Sequence, residues 1–181
     1  SKILAVQEHL PKCSWVLWMD ADSIITNHEV KLEEILPYGF ASMDLVITKD
    51  AGGYNAGVWA MRNSAWSREF LRQWWGLSHF VRPRSPTETK SGDNDALKHL
   101  LTNMDRDELA LHVGVAPQCA FNSYLWKGSL RNYIRFFIKP GVIAQGIYRS
   151  GDFILHLAGL DDKLHPIRQY LMDGPGRLPS K

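Results

Sequence analysis

The sequence predicts an α/β fold, with helices packed on both sides of a mostly parallel sheet, and three observations predict it. Residues 15–19 form an uncharged apolar run of strand length that ends in Asp20 and Asp22. Further apolar runs at 45–48, 58–61 and 153–157 have strand length too. Between them lie segments with helical apolar spacing, as repeated βαβ units require. An apolar run without alternation suits a strand covered on both faces, which is the parallel arrangement.

The elements follow in order. Ile3, Leu4, Val6 and Leu10 have helix-like spacing that stops at Pro11. The 15–19 strand comes next, and residues 24–27 continue apolar. Residues 29–36 read as a short amphipathic helix closed by Pro37, and 45–48 as a strand entered through Asp44. Residues 49–57, KDAGGYNAG, are dense in small residues and read as a loop, with 58–61 a strand after it. Small residues let backbone approach a ligand closely, and Asn55 can both donate to and accept from sugar hydroxyls; a hairpin turn explains the same residues.

Ser64 can cap a helix whose apolar face is Trp66, Phe70, Leu71 and Trp74. Residues 82–89 lack periodicity and read as a surface loop. Ser91, Gly92, Asp93, Asn94 and Asp95 open another helix, with Ala96, Leu97, Leu100 and Leu101 facing inward. Its acidic residues complement the helix dipole, and a polar helix tip also suits contact with a sugar or a reacting centre. Residues 109–115 read as a strand, 121–124 as a loop, 133–138 as an edge strand and 160–172 as a last helix. Residues 174–181 form a Gly/Pro-rich tail. In the 151–159 run His156 stands among apolar residues, a place for either a core histidine or a metal ligand.

In open α/β sheets ligands sit beyond the carboxyl ends of the strands. Asp20 and Asp22 therefore stand where a metal ion, and through it a phosphate, would be held. Mg²⁺ and Mn²⁺ prefer such hard oxygen ligands. The alternative is that Asp22 opens a turn or caps a helix.

At 181 residues, one domain with one core is expected. Composition is that of an ordinary globular protein, with 45% hydrophobic and 22% charged residues. The net charge of +2 supplies no steering field for nucleic acid. The basic stretches 82–84 and 127–135 read as solvated faces. Cys13 and Cys119 fit either one bridge or two free thiols. No apolar run reaches the roughly 18 residues of a membrane span. The chain opens on Ser1 inside a helical pattern and reads as a piece of a longer protein.

Six stretches in order, WVLWMDADSIITN (15–27), DLVITKD (44–50), NAGVWAMRNSAWS (55–67), DNDAL (93–97), FNSY (121–124) and GDFILHLAG (151–159), resemble glycosyltransferase family 34. This family comprises galactosyl-, xylosyl- and mannosyltransferases. The resemblance implies a GT-A fold, a Rossmann-like α/β/α sandwich, forming a single catalytic domain over 1–181. It implies a metal-dependent retaining transfer of a hexose or pentose from UDP-galactose, UDP-xylose or GDP-mannose. The acceptor would be a hydroxyl of an oligosaccharide, polysaccharide or glycoprotein glycan.

By the same resemblance Asp20, Asp22 and His156 hold Mn²⁺ (or Mg²⁺), and Asp20, Ala21, Asp22, Gly159 and Lys163 lie against the nucleotide diphosphate. Asn55, Ala56, Gly57, Asp93 and Asn94 line the sugar and acceptor side. Asp93, Asn94 and Asp95 are the catalytic candidates; the family's helix tip usually reads D-Q-S-A, so Asn94 stands where glutamine is expected. The family's base-binding strands precede the D-x-D strand by several dozen residues, so either they lie outside this chain or the base is held differently. Residence in the Golgi membrane with a lumenal catalytic domain, and homo- or hetero-oligomers, are family expectations. A haloacid-dehalogenase-type phosphohydrolase also carries D-x-D after a strand, with Asp161-Asp162 as its second acidic pair. A catalytically silent sugar-binding or partner subunit is the third reading.

Overall fold

The computed structural model describes residues 1–81, 92–126 and 128–173. The expected loop at 82–89, Ser91, Lys127 and the 174–181 tail lie outside the described residues, and so do the basic stretch 82–84 and one end of 127–135.

Helix α1 (Lys2–His9) leads into strand β1 (Trp15–Met19), and β2 (Ser23–Ile25) follows the Asp20–Asp22 turn. Helix α2 (Leu32–Phe40) precedes the β3 (Leu45–Asp50) and β4 (Gly53–Arg62) hairpin, and α3 (Ala65–Gly76) packs behind it. Next come α4 (Gly92–Asn103), α5 (Arg106–His112), β5 (Val113–Ala116), α6 (Gln118–Phe121) and β6 (Ser123–Tyr124). The chain continues through α7 (Leu130–Ile138), α8 (Pro140–Gly146), β7 (Ile154–His156) and α9 (Leu164–Asp173).

The main sheet has the order β1-β4-β3-β5. Strands β1, β3 and β5 point one way, as the parallel arrangement requires, and β4 runs antiparallel to both β1 and β3. The sheet is thus mixed. A second sheet, β2-β7-β6, pairs β2 antiparallel and β6 parallel to β7.

β3 and β4 are the doubly covered strands. Leu45, Ile47, Trp59 and Met61 face one core with α1, α3 and α4, while Val46, Val58 and Ala60 face a second with Leu36, Phe121 and Ile154. Alternate side chains point to opposite faces, so an unbroken apolar run fills both layers. β1 has one strand neighbour and its five residues are only half-buried, where full burial was expected.

Five further expectations change. The 49–57 loop is a hairpin: β3 runs to Asp50 and β4 starts at Gly53, with a register shift at Ile47/Thr48. Asn55, Ala56 and Gly57 therefore sit in a strand. The helix expected to close at Pro37 runs on to Phe40. The 109–115 strand is helical up to His112, because the Asp105 side chain accepts from the Asp107 and Glu108 backbone N–H groups and starts α5. The 133–138 strand is part of α7, capped by Ser129 Oγ accepting from Asn132 N. α9 starts at Leu164 rather than 160, because Asp162 accepts from His165 N and Gly159 takes a left-handed φ of +73°. Both cysteines are free thiols. Among the described residues no helix is long and apolar enough to cross a membrane.

Candidate metal and diphosphate site

Two sheets meet at the Asp20–Asp22 turn. Asp20 N donates to Gly57 O at 2.8 Å, which ties the turn to β4. Ser23 pairs with His156 across β2 and β7, and Leu157 N donates to Asp22 O at 2.9 Å. These backbone bonds bring one ligand atom from each of Asp20, Asp22 and His156 to within 4.8 Å of one another. The histidine is 4% exposed, so its partners set its chemistry.

Those partners determine which ring nitrogen is bare. Asn122 Nδ2 donates to Thr48 Oγ1 at 2.7 Å and to Asn55 Oδ1 at 3.2 Å, which fixes the amide's orientation. Its Oδ1 therefore faces His156 Nδ1, at 2.8 Å, as acceptor. A neutral imidazole with its proton on Nδ1 presents the Nε2 lone pair to Asp22 Oδ1, 3.3 Å away. Two lone pairs at that distance need a cation between them. The hydrogen bond with His156 and the Lys163 ammonium at 2.6 Å outweigh burial and hold the Asp22 carboxyl well below the usual carboxylate range. A divalent ion between Nε2 and Asp22 would supply that cation. Two carboxylates and an imidazole are a donor set that fits Mn²⁺.

The backbone leaves room for the ring. A Cβ on Gly57 would stand 2.1 Å from His156 Cε1, so only glycine lets β4 pass beneath the imidazole.

The other predicted residues fall around this centre. Asp93 opens α4, where Trp74 Nε1 donates to its backbone carbonyl, and Asn94 Oδ1 accepts from Ala56 N at 2.8 Å. Asp95 is half-buried in the first turn of α4, and Ala21 is exposed in the turn between the two aspartates. Asn55 Nδ2 donates to Asp50 Oδ2 and to Tyr124 Oη. Gly159 lies in the wall of an adjoining cavity. Asp161 and Asp162, the acidic pair of the phosphohydrolase reading, are exposed, and Asp162 caps α9.

Sequence reasoning missed Lys2. Its ammonium lies 2.9 Å from Asp20 Oδ1, 2.8 Å from Asp93 Oδ2 and 2.9 Å from Ala56 O, joining the turn to the tip of α4. Nothing in the helical spacing of α1 distinguished it from a solvated lysine. Asn122 and Tyr124 were visible only inside the FNSY match, without a role. Burial pushes the Tyr124 hydroxyl up, and the Asp50 carboxylate beside it adds to that, so it stays a donor.

Solved structures place this fold in a class. The chain superposes on the glycosyltransferase GlyE of Streptococcus pneumoniae TIGR4 with a TM-score of 0.56 at 18% identity, covering 93% of this chain and 39% of that one. The galactosyltransferase LgtC, in complex with donor and acceptor sugar analogues, gives 0.51 at 16% identity, covering 86% and 56%. The fold is therefore the GT-A fold of glycosyltransferases.

Within that class, the chain belongs to the galactosyl transferase GMA12/MNN10 family, whose profile matches residues 39–163. The probable alpha-1,6-mannosyltransferase MNN10 of Saccharomyces cerevisiae is 25% identical over 82% of this chain and 42% of its own length. Galactomannan galactosyltransferase 1 of Cyamopsis tetragonoloba is 25% identical over 68% and 32%. Probable glycosyltransferase 6 of Oryza sativa subsp. indica is 29% identical over 56% and 26%. The chain thus spans from about a quarter to two-fifths of these relatives' lengths.

Proposed function

We propose that this chain is the catalytic domain of a metal-dependent retaining glycosyltransferase that moves a hexose or pentose from a nucleotide sugar to a glycan hydroxyl. The observation that carries the reading is the convergence of Asp20, Asp22 and His156, one ligand atom of each within 4.8 Å of the others. Asp20, Asp22 and His156 would hold Mn²⁺ or Mg²⁺, which as a Lewis acid would neutralise the departing nucleoside diphosphate.

The chain's own groups do the rest. The Lys163 ammonium, now on Asp22, stands ready to contact the diphosphate. Asp93 puts a carboxylate near the anomeric carbon, where positive charge develops, and Lys2 fixes its position. Asn94 and the Asn55–Gly57 strand align the donor sugar. The bond from the anomeric carbon to the diphosphate oxygen breaks. The acceptor oxygen bonds that carbon from the same face, and its proton goes to the departing diphosphate. UDP-galactose, UDP-xylose and GDP-mannose are the candidate donors, and the Golgi lumen is the compartment that goes with them.

Calorimetric titration with UDP and then GDP, each with and without Mn²⁺, tests the reading. Binding of one nucleotide that needs Mn²⁺ and disappears in Asp22→Ala is expected. Equal binding in both proteins would remove these residues from the site. Mn²⁺-dependent nucleotide binding without turnover of any sugar nucleotide would favour a silent subunit.

A further inference from the structure

A cavity of about 470 Å³ opens beside the metal-ligand cluster. This is within the range of about 300–1,000 Å³ typical of small-ligand sites. It reaches the cluster through Tyr124, whose ring meets His156 edge-on at 5.5 Å, and through Ala158, two residues beyond the histidine. Three features of its wall suit a bound ligand.

The first is Gln118, which is 3% exposed and lines the cavity. Its side-chain amide lies at the cavity wall and makes no hydrogen bond to any described residue. An amide on a cavity wall with no protein partner keeps both its donors and its acceptor for a molecule that enters the cavity.

The second is Trp126. Tyr133 and Phe136 pack edge-on against its ring at 5.7 and 5.9 Å, holding an aromatic surface in the wall. Such a rigid, half-exposed ring suits the apolar face of a sugar.

The third is charge. Lys98 and Arg135 line the cavity, and neither forms an ion pair or side-chain hydrogen bond with a described residue. The cavity's carboxylate, Asp50, does not compensate them. It already accepts from Gly52 N at 2.6 Å, Asn55 Nδ2 at 3.0 Å and Tyr124 Oη at 3.0 Å.

We infer that this cavity is an acceptor subsite, and that it selects a saccharide whose ring carries an anionic substituent, a uronate carboxylate or a phosphate ester. Trp126 stacks on the ring, the Gln118 amide bonds its hydroxyls, and Lys98 and Arg135 meet the anion. The inference rests on the transferase reading, because it takes the neighbouring metal cluster as the donor end.

The test is calorimetric titration of the chain with methyl mannoside, methyl glucuronide, mannose 6-phosphate and inorganic phosphate. Each is run with and without UDP and Mn²⁺. Both acidic sugars should bind about tenfold or more tightly than methyl mannoside, with the preference falling as salt rises. Lys98→Met and Arg135→Met should each cut the preference several-fold and together abolish it. Gln118→Ala should weaken every sugar alike, and none of the three should change Mn²⁺-dependent nucleotide binding.

Equal affinity for neutral and acidic sugars, or a preference that survives the double substitution, overturns the proposal. Inorganic phosphate binding as tightly as the sugar phosphate also overturns it, since the site would then recognise an anion alone. One acidic sugar outrunning the other identifies the source of the charge. Loss of nucleotide binding in the unmodified chain sinks the transferase reading separately, and the acid-to-neutral ratio is still read from the titrations without nucleotide.

Discussion

Asn122 is the residue on which the metal-site chemistry turns. Its amide is buried and bonded at both ends, so it sets the His156 tautomer and leaves Nε2 for a ligand. Partners of this kind are worth about 10–100-fold in metal affinity. Asn122→Ala should therefore weaken Mn²⁺ binding by about that factor while the fold persists, as titration and circular dichroism would report. An unchanged affinity would mean that the imidazole needs no such anchor. The residue was legible as part of FNSY, but its role was not, because a tautomer depends on partners 74 and 34 positions away in sequence.

At the scale of elements, the β3–β4 hairpin does what a loop was expected to do. Its register shift at Ile47/Thr48 turns Asn55 toward Asp50, Tyr124 and Asn122, while Gly57 passes under His156. Gly57→Ala would push a methyl into the imidazole. The expected outcome is a folded protein that has lost most of its Mn²⁺-dependent nucleotide binding, checked by thermal melting beside calorimetry. Wild-type binding would show that the ring can move aside. Small residues in the 49–57 segment favoured a loop by composition, but the β3–β4 ladder overrode it. In the same way, the β-forming residues of 133–138 gave way to a helix capped by Ser129.

Across the whole molecule, Asp44 ties three elements that sequence keeps apart. Its 2%-exposed carboxylate accepts from Arg62 at the end of β4 and contacts His112 at the end of α5. Burial alone would raise its pKa, but hydrogen bonds from His112, Ser64 and Arg62 outweigh that and hold it below the usual carboxylate value. A carboxyl lowered on folding contributes stability that is complete above its unfolded pKa and is lost as pH falls through the folded value. Because Arg62 is partly exposed, Asp44→Ala should cost about 1–3 kcal/mol at neutral pH. The difference from wild type should shrink as pH drops below that range, as urea unfolding at pH 7 and at pH 3 would measure. A constant difference would rule out the ion pairs as its source.

The sequence by itself determined the layered α/β class, the apolar strands that fill both cores, and Asp20 and Asp22 at a strand's carboxyl end. Those are local: a run of apolar residues and the carboxylates that end it lie next to one another in the chain. The six ordered motifs added the family. Only the tertiary structure decided that β4 runs against its neighbours, that Lys2 joins Asp20 to Asp93, and that Asn122 bares one nitrogen of His156. It also decided that Gln118 faces a cavity without a partner. Each of these is a contact between residues far apart in sequence, and such a contact exists only once burial has brought its two ends together.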